Sequence, residues 1–328
     1  RENLLLVYPG ITTKSGITRI TSIIAHETAH LWFGDIVSPL EWKYLWLNES
    51  FATYFQHVIP DYYYPEWGMW DIFIMDEMLG GIERDSLNET MAVELPGHVK
   101  AGINSASAPI IYNKGASILR MLASYLGEEK FKKGIKYFLN EYKFSSASSQ
   151  QFWEKLEKAT GEPIKQFAES WIYQPGYPII KVKREKNNLI LDQEAFTFIP
   201  NNSDRVWMIP ANILLFIENE ENKSFKTLIN GKTTKIPIPE NTQAFKINFG
   251  QTGFFRVKYE KELLDKLGIL CKEKKLNATE RFGLQNDLFA LIRRGDYSLD
   301  YYLEYLEKYF EDEDEYLPIM NIVDNLSY

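Results

Sequence analysis

Apolar residues recur at helical spacing through the first half of the chain. Residues 18–33, 44–57, 67–79, 114–126, 128–142 and 149–160 each read as a helix. Thr160-Gly161 followed by Pro163 is a stop signal, and 166–173 reads as a last helix before Gln174-Pro175-Gly176-Tyr177-Pro178. After Pro178 the period shortens towards two. Ile180 and Val182, then Leu189 and Leu191, flank a turn at Lys186-Asn187-Asn188. Residues 207–216, 225–229, 232–236, 244–249 and 254–259 read as further strands, with Asn230-Gly231 as a two-residue hairpin turn between neighbours. Short strands at near-regular spacing predict a small β-sandwich. From Glu260 the pattern is helical again, through 280–293 and 299–310, and the acidic run 311–315 is expected as a solvated turn. The predicted fold is therefore multidomain α+β, with a mainly helical domain over 1–177, a β-sandwich over 178–260 and the beginning of a second helical domain over 261–328.

Composition narrows the partners. The chain has 328 residues, 45% apolar and 15% aromatic, enough for several cores, and its net charge of -8 argues against nucleic acid or an anionic membrane as the main partner. No apolar run approaches the roughly 18 residues of a membrane span. A lone cysteine, Cys271, excludes an internal disulfide framework, fits a reducing and hence cytoplasmic location, and reads as an ordinary helix residue. Asn48, Asn88, Asn201, Asn222, Asn277 and Asn325 each open an Asn-x-Ser/Thr triplet, which an Asn-rich composition explains without secretion.

One cluster changes the picture. His26-Glu27-Thr28-Ala29-His30 places two imidazoles at i and i+4, on one face of a helix, where both can bind a single metal ion. Glu27 points beside that face and is the candidate general base. Glu49, on the second predicted helix, completes a His, His, carboxylate set that leaves a fourth tetrahedral position open, as a catalytic zinc requires. The flanking Ile23, Ile24, Ala25, Ala29, Leu31, Trp32 and Phe33 predict a buried helix, in which unpaired His and Glu would be costly and a metal supplies the partner. The chemistry is zinc-assisted peptide hydrolysis, with Glu27 taking a proton from water and passing it to the leaving amine. Asp35, Glu41 and Asn48 are the candidates for orienting the histidines.

The whole run HETAHLWFGDIVSPLEWKYLWLNESFATYF resembles the zinc site of the aminopeptidase N family of gluzincin metallopeptidases. Asp85-Ser86-Leu87, Tyr112-Asn113-Lys114-Gly115-Ala116, Trp171 with Gln174-Pro175-Gly176-Tyr177-Pro178, and Gly253-Phe254-Phe255-Arg256-Val257 resemble further blocks of it, so the similarity covers most of the chain. Among subgroups it is most similar to the archaeal tricorn-interacting aminopeptidases. The resemblance implies a thermolysin-like catalytic domain over 1–177 that binds one Zn2+ and releases N-terminal residues from peptides. It also implies that Tyr112 stabilises the oxyanion of the transition state, and that cooperation with a larger protease is possible for the parent protein. Ser105-Ala106-Ser107-Ala108-Pro109 departs from the acidic and aromatic stretch usual in the family. Lys114 is expected to pair within the start of its helix.

The chain opens at Arg1-Glu2-Asn3 and ends at Leu326-Ser327-Tyr328, inside a helical pattern, so it is expected to be a fragment. The family's Gly-Ala-Met-Glu-Asn motif would precede Arg1. Of the carboxylates that hold the substrate's free amine in the family, Glu49 alone is then present, and weak or no aminopeptidase activity is expected of this chain. The same ligands also suit a zinc endopeptidase or an epoxide-opening relative. A non-catalytic scaffold or binding module is the reading from another class, and the presence of Glu27 argues against it.

Overall fold

The computed structural model describes residues 4–94, 103–201 and 203–328; the opening Arg1-Glu2-Asn3 lies outside them. Helices and strands are both present, and the chain divides into two compact units, Arg1–Arg84 with Met91–Pro175 and Asp85–Thr90 with Gly176–Tyr328.

The first unit is helical. Its elements are α1 (Lys14–His30), a short strand β1 (Val37–Pro39), α2 (Trp46–Tyr63), α3 (Met69–Phe73), α4 (Leu79–Asp85), α5 (Gly115–Leu126), α6 (Glu128–Tyr142), β2 (Ser145–Ala147), α7 (Ser149–Thr160) and α8 (Ile164–Trp171). α1 begins four residues before the predicted start because the Thr13 hydroxyl caps it, accepting from the Gly16 N–H at 3.1 Å. It ends three residues early. Gly34, at φ +144, opens a turn in which the His30 carbonyl accepts from Asp35 N–H, and a Cβ there would press on that carbonyl at 3.1 Å. The chain then leaves as β1, in parallel pairing with β2. α2 runs six residues past its predicted end, through Pro60. Residues 67–79 are not one regular helix: a π-helical turn, Ile74–Met78, links α3 to α4. A second π-helical turn, Pro109–Lys114, leads into α5. α6 and α7 lie where the apolar period put them, and Ser148 with Gln151 closes a capping box on α7.

An aromatic spine joins these helices. Phe33, just past α1, stacks on Phe51 of α2 with centroids 4.2 Å apart, and Phe51 meets Phe152 of α7 edge-on at 5.3 Å. Trp46 stacks on Trp153 at 5.3 Å, and both indoles are fully buried. Each such pair contributes about 0.5–1.5 kcal/mol beyond its burial, which fixes α1 and α2 side by side. The expectation that α1 is buried all round does not hold. Within α1 Thr18, Ile20, Ala25 and Ala29 are buried, while Ile24 is 49% exposed, as are Leu31 and Trp32 just past its end at 51% and 45%. The apolar run is wider than the one face that packs on α2.

The second unit holds β3 (Pro178–Glu185), β4 (Asn188–Ala195), β5 (Ile209–Ile217), β6 (Lys223–Ile229), β7 (Thr233–Pro237), β8 (Thr242–Ile247) and β9 (Arg256–Tyr259), followed by α9 (Lys261–Lys272), α10 (Ala278–Arg293), α11 (Leu299–Tyr309) and α12 (Tyr316–Ser327). Its strands form two sheets, ordered β7-β4-β3-β9 and β6-β5-β8. β3 and β4 form the expected hairpin, with Glu185 opposite Asn188 and Lys186 at φ +53. Asn230-Gly231 is not a hairpin turn. β6 pairs with β5 and β7 with β4, so this turn carries the chain from one sheet to the other. The buried Gln193 amide anchors the crossing, donating to the carbonyls of Gly231 and Trp207 at 2.8 Å each. The run 311–315 is not wholly solvated either. Glu313 is inside, in a bidentate pair with Arg281 at 2.6 and 2.7 Å.

Candidate metal centre

α1 and α2 lie against each other so that three side chains converge. Glu49 Oε2 stands 3.6 Å from His26 Nε2 and 3.5 Å from His30 Nε2. Ligand atoms of His26, His30 and Glu49 all fall within 4.8 Å of one another, the one such set of three or more metal-ligating groups among the described residues. Tetrahedral ligands at about 2.0–2.2 Å from zinc have donor atoms roughly 3.3–3.6 Å apart, so this donor set fits the ion.

The two rings present Nε2 to the centre because Nδ1 of each is held elsewhere. His26 Nδ1 is 2.9 Å from Gln56 Oε1, and His30 Nδ1 is 3.1 Å from the Phe33 carbonyl, which the turn after α1 folds back. These partners are Gln56 and a backbone oxygen, rather than Asp35, Glu41 or Asn48. Gln56 was missed although it sits seven residues after Glu49 on α2, two turns along the same face.

Electrostatics tie the groups together. Burial alone would raise the Glu49 carboxyl, but hydrogen bonds from His26, His30 and Tyr112 outweigh it and bring it down to about 2. His30 is raised, chiefly by its hydrogen bond to Glu49, with burial opposing and the charge of Glu27 adding. Tyr112 is pushed well up, first by burial and then by the charge of Glu49. Its ring lies parallel to His26 with centroids 6.5 Å apart. Glu27 is exposed beside the cluster, and its charge acts on both His30 and Tyr112. The five residues singled out from the sequence, His26, Glu27, His30, Glu49 and Tyr112, therefore share one locus.

Tyr112 is placed by a close helix contact. The Ser50 hydroxyl donates to the Ile111 carbonyl at 2.6 Å, within the π-helical turn that bears Tyr112. Lys114, at the end of that turn, is fully buried. Asp85, Ser86, Tyr177 and Arg256, from other family-like blocks, join one another instead. Asp85 accepts from Thr90 at 2.5 Å and from the Gly176 N–H at 3.1 Å; the hydroxyls of Ser86 and Tyr177 are 2.6 Å apart; Arg256 donates to the Tyr177 hydroxyl at 3.1 Å. They form a buried network in the second unit.

Residues 1–171 match the Peptidase family M1 domain, and residues 244–328 match the ERAP1-like C-terminal domain. The chain belongs to peptidase family M1. It is 36% identical over 328 residues to Probable aminopeptidase 2 of Sulfurisphaera tokodaii, across all of this chain and 40% of that protein. It is 35% identical over 291 residues to Tricorn protease-interacting factor F2 of Thermoplasma acidophilum, across 89% of this chain and 36% of the relative. Aminopeptidase M1-A of Oryza sativa subsp. japonica is 32% identical over 331 residues, across 99% of this chain and 37% of the relative. The chain thus spans at most 40% of the length of each of these relatives. Among the described residues no helix is long and apolar enough to cross a membrane.

Proposed function

We propose that the chain carries the metal centre of a zinc-dependent aminopeptidase that releases N-terminal residues from peptides. The carrying observation is that His26 Nε2 and His30 Nε2 stand 3.6 and 3.5 Å from Glu49 Oε2, with both Nδ1 atoms engaged elsewhere. A zinc ion held by these three would supply a Lewis acid and lower the pKa of a water in the remaining position. Glu27, beside the cluster and open to solvent, takes the proton from water and delivers it to the leaving amine. Tyr112, kept protonated far above neutral pH, donates its hydroxyl to the developing oxyanion. Glu49, held ionised, also offers its carboxylate side to a substrate's free α-amine. The same proposal carries a thermolysin-like domain to residue 177, a β-sandwich to 260, helices beyond, and a cytoplasmic location. The name of the Thermoplasma relative supports adding cooperation with a larger protease.

Metal analysis of the chain and of Glu27→Gln tests this. One zinc per chain is expected in both, with weak hydrolysis of a leucyl chromogenic amide by the parent chain and any such residual hydrolysis lost only in the variant. Loss of zinc in Glu27→Gln would mean that ligand and base are misassigned. Cleavage of amine-blocked peptides as readily as free ones would favour an endopeptidase.

A further inference from the structure

Gln56 sits between the metal centre and a second polar cluster. Its Oε1 is 2.9 Å from His26 Nδ1; its Nε2 is 2.8 Å from Glu77 Oε1 and 3.2 Å from His57 Nε2. An ionised carboxylate only accepts, so the end of the amide facing Glu77 must be the N–H end. The amide oxygen is then committed to His26, and it can accept only if Nδ1 carries the hydrogen. That tautomer leaves the lone pair on Nε2, the atom directed at Glu49. Turned the other way, the amide would set an oxygen against a carboxylate and an N–H against Nδ1. The hydrogen of His26 would move to Nε2, which could not ligate a metal.

The cluster behind the amide is built to hold this direction. Glu77 is 12% exposed at its side chain and the buried His57 3%, so water competes little for the amide. His57 Nδ1 is 3.3 Å from the Met69 carbonyl, and its Nε2 lies 3.2 Å from the Gln56 amide nitrogen and 3.4 Å from Glu77 Oε1; with the hydrogen on Nδ1, Nε2 accepts the second amide N–H. Glu77 lies on the π-helical turn Ile74–Met78, the kind of local widening that re-aims a side chain at functional sites. Asn113, the neighbour of Tyr112, donates to the Asp76 carbonyl of that turn at 3.0 Å and fastens the two π-helical turns together.

We propose that Glu77 is a positioning residue for the metal centre: acting through Gln56, it sets the Nδ1–H tautomer and ring orientation of His26. This rests on the reading of His26, His30 and Glu49 as metal ligands. Glu77→Gln keeps the shape but offers an amide that can face Gln56 with either end. The affinity of the chain for Zn2+, read by competition with a chromogenic chelator, is expected to weaken about 10–100-fold, as for other outer partners of ligand histidines. In the metal-free chain, the imidazole 15N shifts of His26 are expected to move from a single Nδ1–H form to a mixture. Combining Glu77→Gln with Gln56→Glu restores a carboxylate acceptor at His26 with an amide donor behind it, so most of the affinity and the single tautomer should return. Unchanged 15N shifts in Glu77→Gln overturn the proposal. So does a loss that the exchange fails to rescue, or one that tracks a lowered unfolding temperature of the metal-free chain. Absence of zinc binding by the parent chain would instead overturn the metal reading, and the 15N measurement would still decide what Glu77 does.

Discussion

A β-carbon added to Gly115 would stand 2.0 Å from the Ser50 hydroxyl oxygen. That hydroxyl is the one that holds the Ile111 carbonyl beside Tyr112, so glycine at 115 is what lets α2 and α5 approach closely enough for the bond to form. Gly115→Ala is expected to destabilise the chain by about 1–3 kcal/mol through overpacking. Ser50→Ala should cost a similar amount, about 1–3 kcal/mol, by stripping a buried carbonyl of this donor. Urea unfolding of both and of the double variant should show costs well short of additive. A Gly115→Ala chain as stable as its parent would contradict the close approach.

Tyr112→Phe separates oxyanion binding from metal holding. The hydroxyl reaches Glu49 and its pKa is pushed well up, whereas zinc is held by thiolate, imidazole and carboxylate. Zinc affinity should stay near that of the parent, while whatever hydrolysis of a leucyl chromogenic amide the parent shows falls about 10²–10³-fold. A matching fall in zinc content would assign Tyr112 to the metal instead.

The Arg281–Glu313 pair gives the second unit an acid-sensitive contact. Burial pushes the Glu313 carboxyl up, but Arg281 outweighs it and holds the group below its ordinary value. An acid depressed in the fold contributes stability above its unfolded pKa and loses it as pH falls through the lower folded value. Glu313→Gln should therefore cost about 3–5 kcal/mol at neutral pH, since both side chains are 4% exposed. That difference should shrink as pH falls below about 4. A pH-independent gap between variant and parent in denaturant titrations would refute the assignment.

Cys271 should be silent. It is buried in α9, and burial pushes its thiol up to about 12. A charged thiol reagent at pH 8 should label the chain only at its unfolding rate. Fast stoichiometric labelling of the folded chain would show that α9 opens.

The clustering of His26, His30 and Glu49 was legible because it is compressed into local spacing: i and i+4 on one helix, and a carboxylate on the next. Helices such as Glu128–Tyr142 and Ser149–Thr160 were legible for the same reason, one apolar stripe each, with Ser148 and Gly161 capping the second. What sequence could not give was set by distant partners. Asn230-Gly231 carries a strong local hairpin preference, yet β6 and β7 pair in different sheets, and the turn between them is held by Gln193, nearly forty residues earlier. Glu313 reads as solvated within an acidic run because its arginine lies on α10, 32 residues earlier. The two π-helical turns leave no period to detect, and Gln56 was invisible because its importance comes from Glu77 behind it.

The two histidines are supported in unequal ways. His30 leans on a main-chain oxygen, that of Phe33, which no substitution of a side chain can delete. His26 leans on Gln56, which mutation can reach. If the proposed metal is held here, variation in how tightly it is gripped, whether arising by descent or by engineering, should therefore accumulate on the His26 side, leaving His30 as the fixed post.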